Sequence, residues 1–319
     1  MAIAYEKFIH PEDRVALEKL KAIPLLDTVI GQYGKYFAGD VLRAVNLASK
    51  MRVGPRQMSH LYALLVDVCS TLQIDVPDFY IEENPERVSY VCGTDSPFVV
   101  LDSETIDLLT PDELKVLVAH ECGHILCQHG RYYMLADAVL GMKGGVPSVA
   151  GSIIVTDAMK WALAYWLRRS EFSADRVAAF VMNDANVVAR TMMRLSFGWA
   201  GFTADVNMDE FLHQAEEYAE ITNGMGTKSI LENWMVRDLT RPYPAVRAAE
   251  VVKWFRQTGA IGDLSSEVNE IVDRDEREET GLSKAKTAFG KLGEGFKCVR
   301  KKFPKLMQIE RSQASKSED

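Results

Sequence analysis

From Pro11 to about Ile74, apolar positions recur at helical spacing. Val15, Leu17 and Leu20 stand among polar neighbours, and Leu61, Leu64, Leu65 and Val68 form a second set. Pro24, Gly54 and Pro55 punctuate the run, so it reads as several helices. It holds no set of catalytic residues. Its two histidines, His10 and His60, have no partner at ligand spacing, and residues 1–54 are expected to form a helical N-terminal layer.

The pattern changes between Asp78 and Ser103. Phe79-Tyr80-Ile81, Val88-Ser89-Tyr90-Val91-Cys92 and Pro97-Phe98-Val99-Val100-Leu101 are short runs rich in β-branched and aromatic residues. Asn84-Pro85 and Gly93-Thr94-Asp95-Ser96 separate them, which predicts two or three strands in a small antiparallel sheet.

A helix start follows. Thr110-Pro111-Asp112-Glu113 combines a capping threonine, a proline at the first helical position and a glutamate at the third. The helix is predicted from Pro111 to about Gln128. Gly141 to Gly151 is a glycine-rich break. A long helical stretch runs from about Ile153 to Met182, and further helices continue to about Gln257. No internal repeat is visible. Residues 55–260 are expected to form the main domain.

On the capped helix stands His120-Glu121-Cys122-Gly123-His124. Residues four apart leave an α-helix about 40° apart in azimuth, so the two imidazoles share a face and can hold one metal ion. Glu121 projects from the flank of that pair, where it reaches a water on the metal without being a ligand. His129, five residues after His124, would lie about 140° away on a continuous helix; it is expected to be structural. Cys122 points away from the pair and reads as an inert small residue. His213 sits among Asp209, Glu210, Glu216 and Glu217, a solvated charged face.

A hydrolytic zinc needs a third protein ligand and an open position. Glu171 is the best candidate, on the apolar stripe marked by Ala174, Ala178 and Val181. Asp175, one turn on, can accept the second N–H of a ligand histidine. By spacing alone, these two carboxylates are equally well explained as salt-bridge partners of Arg168 or Arg176.

His-Glu-x-x-His on one helix and Glu-x-x-x-Asp-Arg on a later one together resemble the HtpX-like and CAAX-prenyl-protease family of zinc metallopeptidases, the gluzincin type, in its soluble form. The likeness runs from about Pro55 to Trp254. It implies a mainly helical α+β, zincin-like fold with a small antiparallel sheet and an active-site helix. It also implies one Zn2+ per chain on His120, His124 and Glu171, with Glu121 as general base and Asp175 as orienter. The family's His-Pro step is replaced by Arg241-Pro242, so Arg241, or else Tyr243, is expected to donate to the oxyanion. The family's edge strand appears as Val88-Ser89-Tyr90. The activity implied is zinc-assisted hydrolysis of a peptide paired along the edge near Ser89 to Gly93. A zinc-bound scaffold or chaperone-like adaptor, and a hydrolase of non-peptide amides, stand as rivals.

Composition narrows the class further. The net charge of −8 argues against a nucleic-acid partner. The longest stretch free of charge and histidine, Gly144 to Thr156, falls short of the roughly 20 apolar residues a spanning helix needs. The N-terminus lacks the features of a signal peptide. The cysteines (Cys69, Cys92, Cys122, Cys127, Cys298) form no C-x-x-C pair, which suits a reducing compartment. A cytoplasmic protein is expected. Residues 261–319 read as an acidic linker followed by a basic tail, with ten bases against four acids from Leu282 to Asp319. Phe289, Leu292, Phe296, Val299, Phe303 and Leu306 give the tail an amphipathic outline over 283–306. Docking on the chain's own acidic body, peripheral membrane contact and partner binding all fit it.

Overall fold

Every residue of the strand Phe98–Asp102 is buried, and this one strand organises the sheet. The computed structural model describes residues 4–24, 26–36, 39–94, 96–141, 156–198, 206–224 and 241–258. In them β1 (Met51–Val53), β2 (Asp78–Glu82), β3 (Ser89–Cys92) and β4 (Phe98–Asp102) form a sheet in the order β1-β2-β4-β3. β1 runs antiparallel to β2, and β3 antiparallel to β4. β2 and β4, however, are parallel, with Tyr80 opposite Val100. The sheet is therefore mixed, which corrects the expectation of a wholly antiparallel one. β4 is apolar on both faces and takes an inner place, which suits a strand covered on both sides. β1 falls inside the stretch that reads as helical, because three residues are too few for a period of two to show.

Eleven α-helices surround the sheet among the described residues. They are α1 (Pro11–Lys21), α2 (Leu26–Tyr36), α3 (Gly39–Ser49), α4 (Ser59–Leu72), α5 (Ser103–Leu108) and α6 (Pro111–Leu126). After these come α7 (Gly130–Leu140), α8 (Asp157–Met182), α9 (Ala185–Phe197), α10 (Met208–Gly224) and α11 (Pro244–Thr258). The mainly helical α+β class is the one the sequence implies.

Alternation along the strands splits the interior in two. Phe79, Ile81, Val91, Val99 and Leu101 join α4, α6, α9, α11 and the C-terminal half of α8 in one core. Tyr80, Tyr90, Cys92, Phe98 and Val100 join α1, α2, α7 and the first half of α8 in the other, around the fully buried Trp166. Helix α8 thus spans both cores.

The start of α6 follows its sequence signal. Glu113 N–H donates to Thr110 Oγ1 at 3.4 Å, while Thr110 N–H donates to Glu113 Oε2 at 2.9 Å, a complete capping box. Such a cap contributes about 0.5–2 kcal/mol. The helix ends at Leu126, two residues short of the predicted Gln128, because Gln128 adopts a left-handed φ of 60° and turns the chain into α7. Among the described residues no helix is long and apolar enough to cross a membrane. The tail from 261 onward lies outside the described residues.

Candidate metal centre

Every residue of α6 from Val116 to His124 is buried, so both motif histidines open into the interior. Their Nε2 atoms are 3.3 Å apart. Glu171, on α8, brings Oε1 to 3.4 Å from His124 Nε2 and Oε2 to 3.5 Å from His120 Nε2. One donor atom from each of the three residues lies within 4.8 Å of the other two. The 3.3 Å between the two Nε2 atoms matches the roughly 3.3–3.4 Å edge of a tetrahedral ion bound at about 2.0–2.1 Å, and Glu171 sets one oxygen against each ring. Both Glu171 oxygens are buried without a hydrogen bond, a state that a cation relieves. Among the described residues, no other three such donors converge in this way.

Residues 59–254 match the model of Peptidase family M48. The chain belongs to this family. It is similar to the plastoglobule-localized metallopeptidase 48, chloroplastic, of Arabidopsis thaliana, with 31% identity over 258 residues, 79% of this chain and 73% of that protein. No solved structure matches the chain. Family and geometry together make it an M48 zinc metallopeptidase with a buried His-His-Glu metal-binding triad.

In this M48 peptidase each ligand histidine is held from behind. His120 Nδ1 is 2.9 Å from Asp175 Oδ1. Asp175 accepts two hydrogen bonds from Arg247 of α11, Nε to Oδ2 at 2.9 Å and Nη2 to Oδ1 at 2.7 Å. Arg247 Nη1 also lies 3.2 Å from Glu171 Oε2. The charge partner of the two carboxylates is thus Arg247, which the spacing arguments do not single out. Burial alone would raise the Glu171 and Asp175 carboxyls. Together Arg247 and His120, joined at Glu171 by Arg241 and His124, outweigh burial and hold both carboxyls below the usual carboxylate range. Burial alone would lower His120, but Asp175 and Glu171 hold it up at about 9. His124 is pushed down, chiefly by burial.

His124 Nδ1 meets His129 Nδ1 at 2.9 Å, and His129 Nε2 stands 3.1 Å from Asp13 Oδ2. His129 is no part of the metal triad, as expected, yet it touches a ligand. The azimuth argument presumes a continuous helix, and the left-handed turn at Gln128 breaks it. The end of an apolar-periodic run followed by Gly130 is the sequence signal for that turn. Asp13 lies in the N-terminal layer, in which no site residue is expected.

Glu121 is 1% exposed. Its Oε1 accepts the Ser89 hydroxyl at 2.5 Å, and its Oε2 is buried without a partner. Ser89 lies on β3, the edge strand. Asp102 N–H donates to Val88 O at 3.0 Å, so the backbone groups of Ser89, one residue on, turn away from β4. Arg241 Nη2 donates to that outward Ser89 carbonyl at 3.2 Å, and its Nε is 3.7 Å from Glu171 Oε2. Arg241 therefore joins the site. Tyr243 stacks edge-on against Tyr218 of α10, with centroids 5.7 Å apart, and no described contact ties it to the triad. Tyr133 of α7 packs against His124 at 5.2 Å, and burial pushes its phenol up to about 12.

The remaining sequence candidates sit apart from the chemistry. His10 caps α1, its Nδ1 accepting from Glu12 N–H at 3.1 Å. His213 is exposed beside Glu216 and Glu217. The Cys122 sulfur is 4.0 Å from that of Cys69, and this contact together with burial pushes its thiol up. A cavity of about 190 Å³ adjoins His120 and Arg241, with apolar walls from Val88, Leu117, Val188, Met192 and Leu195.

Proposed function

We propose that the protein hydrolyses peptide bonds with one zinc ion per chain held by His120, His124 and Glu171, and with Glu121 as general base. The observation that carries this reading is the asymmetry of Glu121: one oxygen is clamped by Ser89, and the other is buried and unpartnered, one residue from His120. When bound, zinc supplies Lewis acidity and draws the pKa of a water towards about 7. Glu121 takes the proton of the attacking water on its free oxygen and later delivers it to the leaving nitrogen. Asp175 keeps His120 oriented throughout.

Arg241 is the stronger candidate for stabilising the oxyanion, because its guanidinium stands beside both Glu171 and the strand edge. A guanidinium donates and never accepts, which suits a site where negative charge develops. Tyr243 is the weaker candidate. The peptide is expected to lie along β3 between Ser89 and Val91. Beyond that, Gly93 O packs against Gly130 so closely that α7 closes the edge. The substrate must displace Arg241 from the Ser89 carbonyl to pair there, and this contact is what favours the scaffold as a second reading. The apolar cavity beside His120 is of a size to receive a substrate side chain. We place the protein in the cytoplasm, since its five cysteines, odd in number and without a C-x-x-C pair, suit a reducing compartment, with any lipid-surface contact made through 283–306; the plastoglobule location in the relative's name accords with such contact.

The test is hydrolysis of unstructured casein and quenched peptides by zinc-loaded protein, with and without a chelator, for wild type and Glu121→Gln. Chelator-sensitive cleavage that disappears in Glu121→Gln while zinc content stays the same supports the reading. Activity retained by Glu121→Gln removes it as the base, and zinc without turnover on any peptide favours the scaffold.

A further inference from the structure

The two metal-facing histidines are secured by unlike partners. Asp175 grips Nδ1 of His120 directly, whereas Nδ1 of His124 meets another imidazole, that of His129. His129 in turn leans on Asp13 of α1. His124, His129 and Asp13 are each at most 1% exposed, so bulk water offers them no substitute partners. Asp13 is itself pinned to α8: Trp166 Nε1 donates to its Oδ1 at 3.0 Å and Ser173 Oγ to its Oδ2 at 2.6 Å.

Proton placement in this row is constrained. His129 Nε2 lies 3.1 Å from Asp13 Oδ2, too poorly aligned for a hydrogen bond, yet a carboxylate only accepts, so its charge favours a proton on that nitrogen. A neutral His129 then presents a bare Nδ1. Two Nδ1 atoms 2.9 Å apart need one proton between them, so His124 carries it on Nδ1. That leaves His124 Nε2, the atom facing His120 and Glu171, with a free lone pair. A proton on the wrong nitrogen of either ring would point an N–H at the metal position.

We propose that Asp13 and His129 are positioning residues of the metal centre: together they fix His124 in the tautomer that can bind metal, which makes helix α1 part of the site. The proposal rests on the His120–His124–Glu171 metal reading. It also gives the buried carboxylate of α1 a purpose that packing does not require, since an apolar residue would fill the same space without needing the Trp166 and Ser173 donors.

The experiment uses the full chain, stripped of metal and titrated with Zn2+ against a competing chelator. His129→Phe removes the acceptor and is expected to weaken zinc binding by about 10–100-fold, the usual loss when a ligand's supporting partner is removed. His129→Asn, whose Oδ1 can accept from His124 Nδ1–H, is expected to recover most of that affinity, which a purely space-filling role would not predict. Asp13→Leu should fall with His129→Phe. Long-range 1H–15N spectra of zinc-loaded wild type, labelled at histidine, should show His124 protonated at Nδ1 and His129 at Nε2. This readout stands even if a variant fails to fold. A folded His129→Phe with wild-type affinity, or a His129 protonated at Nδ1, overturns the proposal. A wild type that binds no zinc overturns the metal centre itself and the proposal with it.

Discussion

Gly123 of α6 lies directly against Ala174 of α8. A Cβ added to Gly123 would stand 3.1 Å from both Cα and O of Ala174 and 3.0 Å from Val177 Cβ. Here the helix that carries the histidines packs tightly on the helix that carries Glu171, at a position between His120 and His124 in sequence. The glycine inside the motif thus sets the depth of the metal triangle.

Gly123→Ala is expected to force α6 and α8 apart by a few tenths of an ångström. Overpacking of this kind costs roughly 1–3 kcal/mol, and the shift falls on donor separations of 3.3–3.5 Å. Chemical denaturation of the metal-free protein reads the first effect, and chelator competition for zinc reads the second. Unchanged zinc affinity would show that the helix contact does not tune the site.

Arg247→Met should be among the most damaging single changes. It removes two hydrogen bonds from Asp175 and a cation beside Glu171, leaving the two buried carboxylates only His120 and the more distant Arg241. Breaking a buried ion pair from one side costs about 3–5 kcal/mol. Arg247→Lys should rescue little, because a point charge cannot make the forked contact. Zinc should restore part of the lost melting temperature in Arg247→Met, since it neutralises Glu171.

Ser89→Ala frees the clamped oxygen of Glu121. Turnover is expected to fall about 10-fold, with KM and zinc content nearly unchanged, because the base loses its fixed orientation and not its chemistry. A rise in KM alone would mean that Ser89 serves the substrate strand instead.

The metal-free protein should lose stability on the alkaline side. His120 is held at about 9, above the ordinary histidine value of 6.5. Its charged form therefore stabilises the fold fully below about pH 6.5, and the contribution disappears as pH rises through about 9. Metal binding runs the other way: the proton must leave His120, so zinc affinity should climb about tenfold per pH unit until pH 9. Urea unfolding and chelator competition at pH 6, 7.5 and 9 measure both trends. Parallel changes in the two would contradict the assignment.

The sequence by itself determined whatever depends on neighbours a few residues apart. The capping box at Thr110 and Glu113, the shared face of His120 and His124, and the stripe joining Glu171 to Asp175 all follow from helix periodicity, which the chain encodes locally. The family likeness added Glu171 as a ligand, where spacing left salt bridges equally open. Only the tertiary structure decided which distant element meets each of these groups. Arg247 reaches Asp175 because α11 packs against α8, and Asp13 reaches His129 because Trp166 and Ser173 anchor α1. The parallel pairing of β2 with β4 is likewise set by how the chain crosses between them, which no single strand announces. The role of His129 hinged on one left-handed residue, Gln128, that ended the helix early and swung the ring back. Periodicity gives the phase of an element; close packing chooses its neighbours.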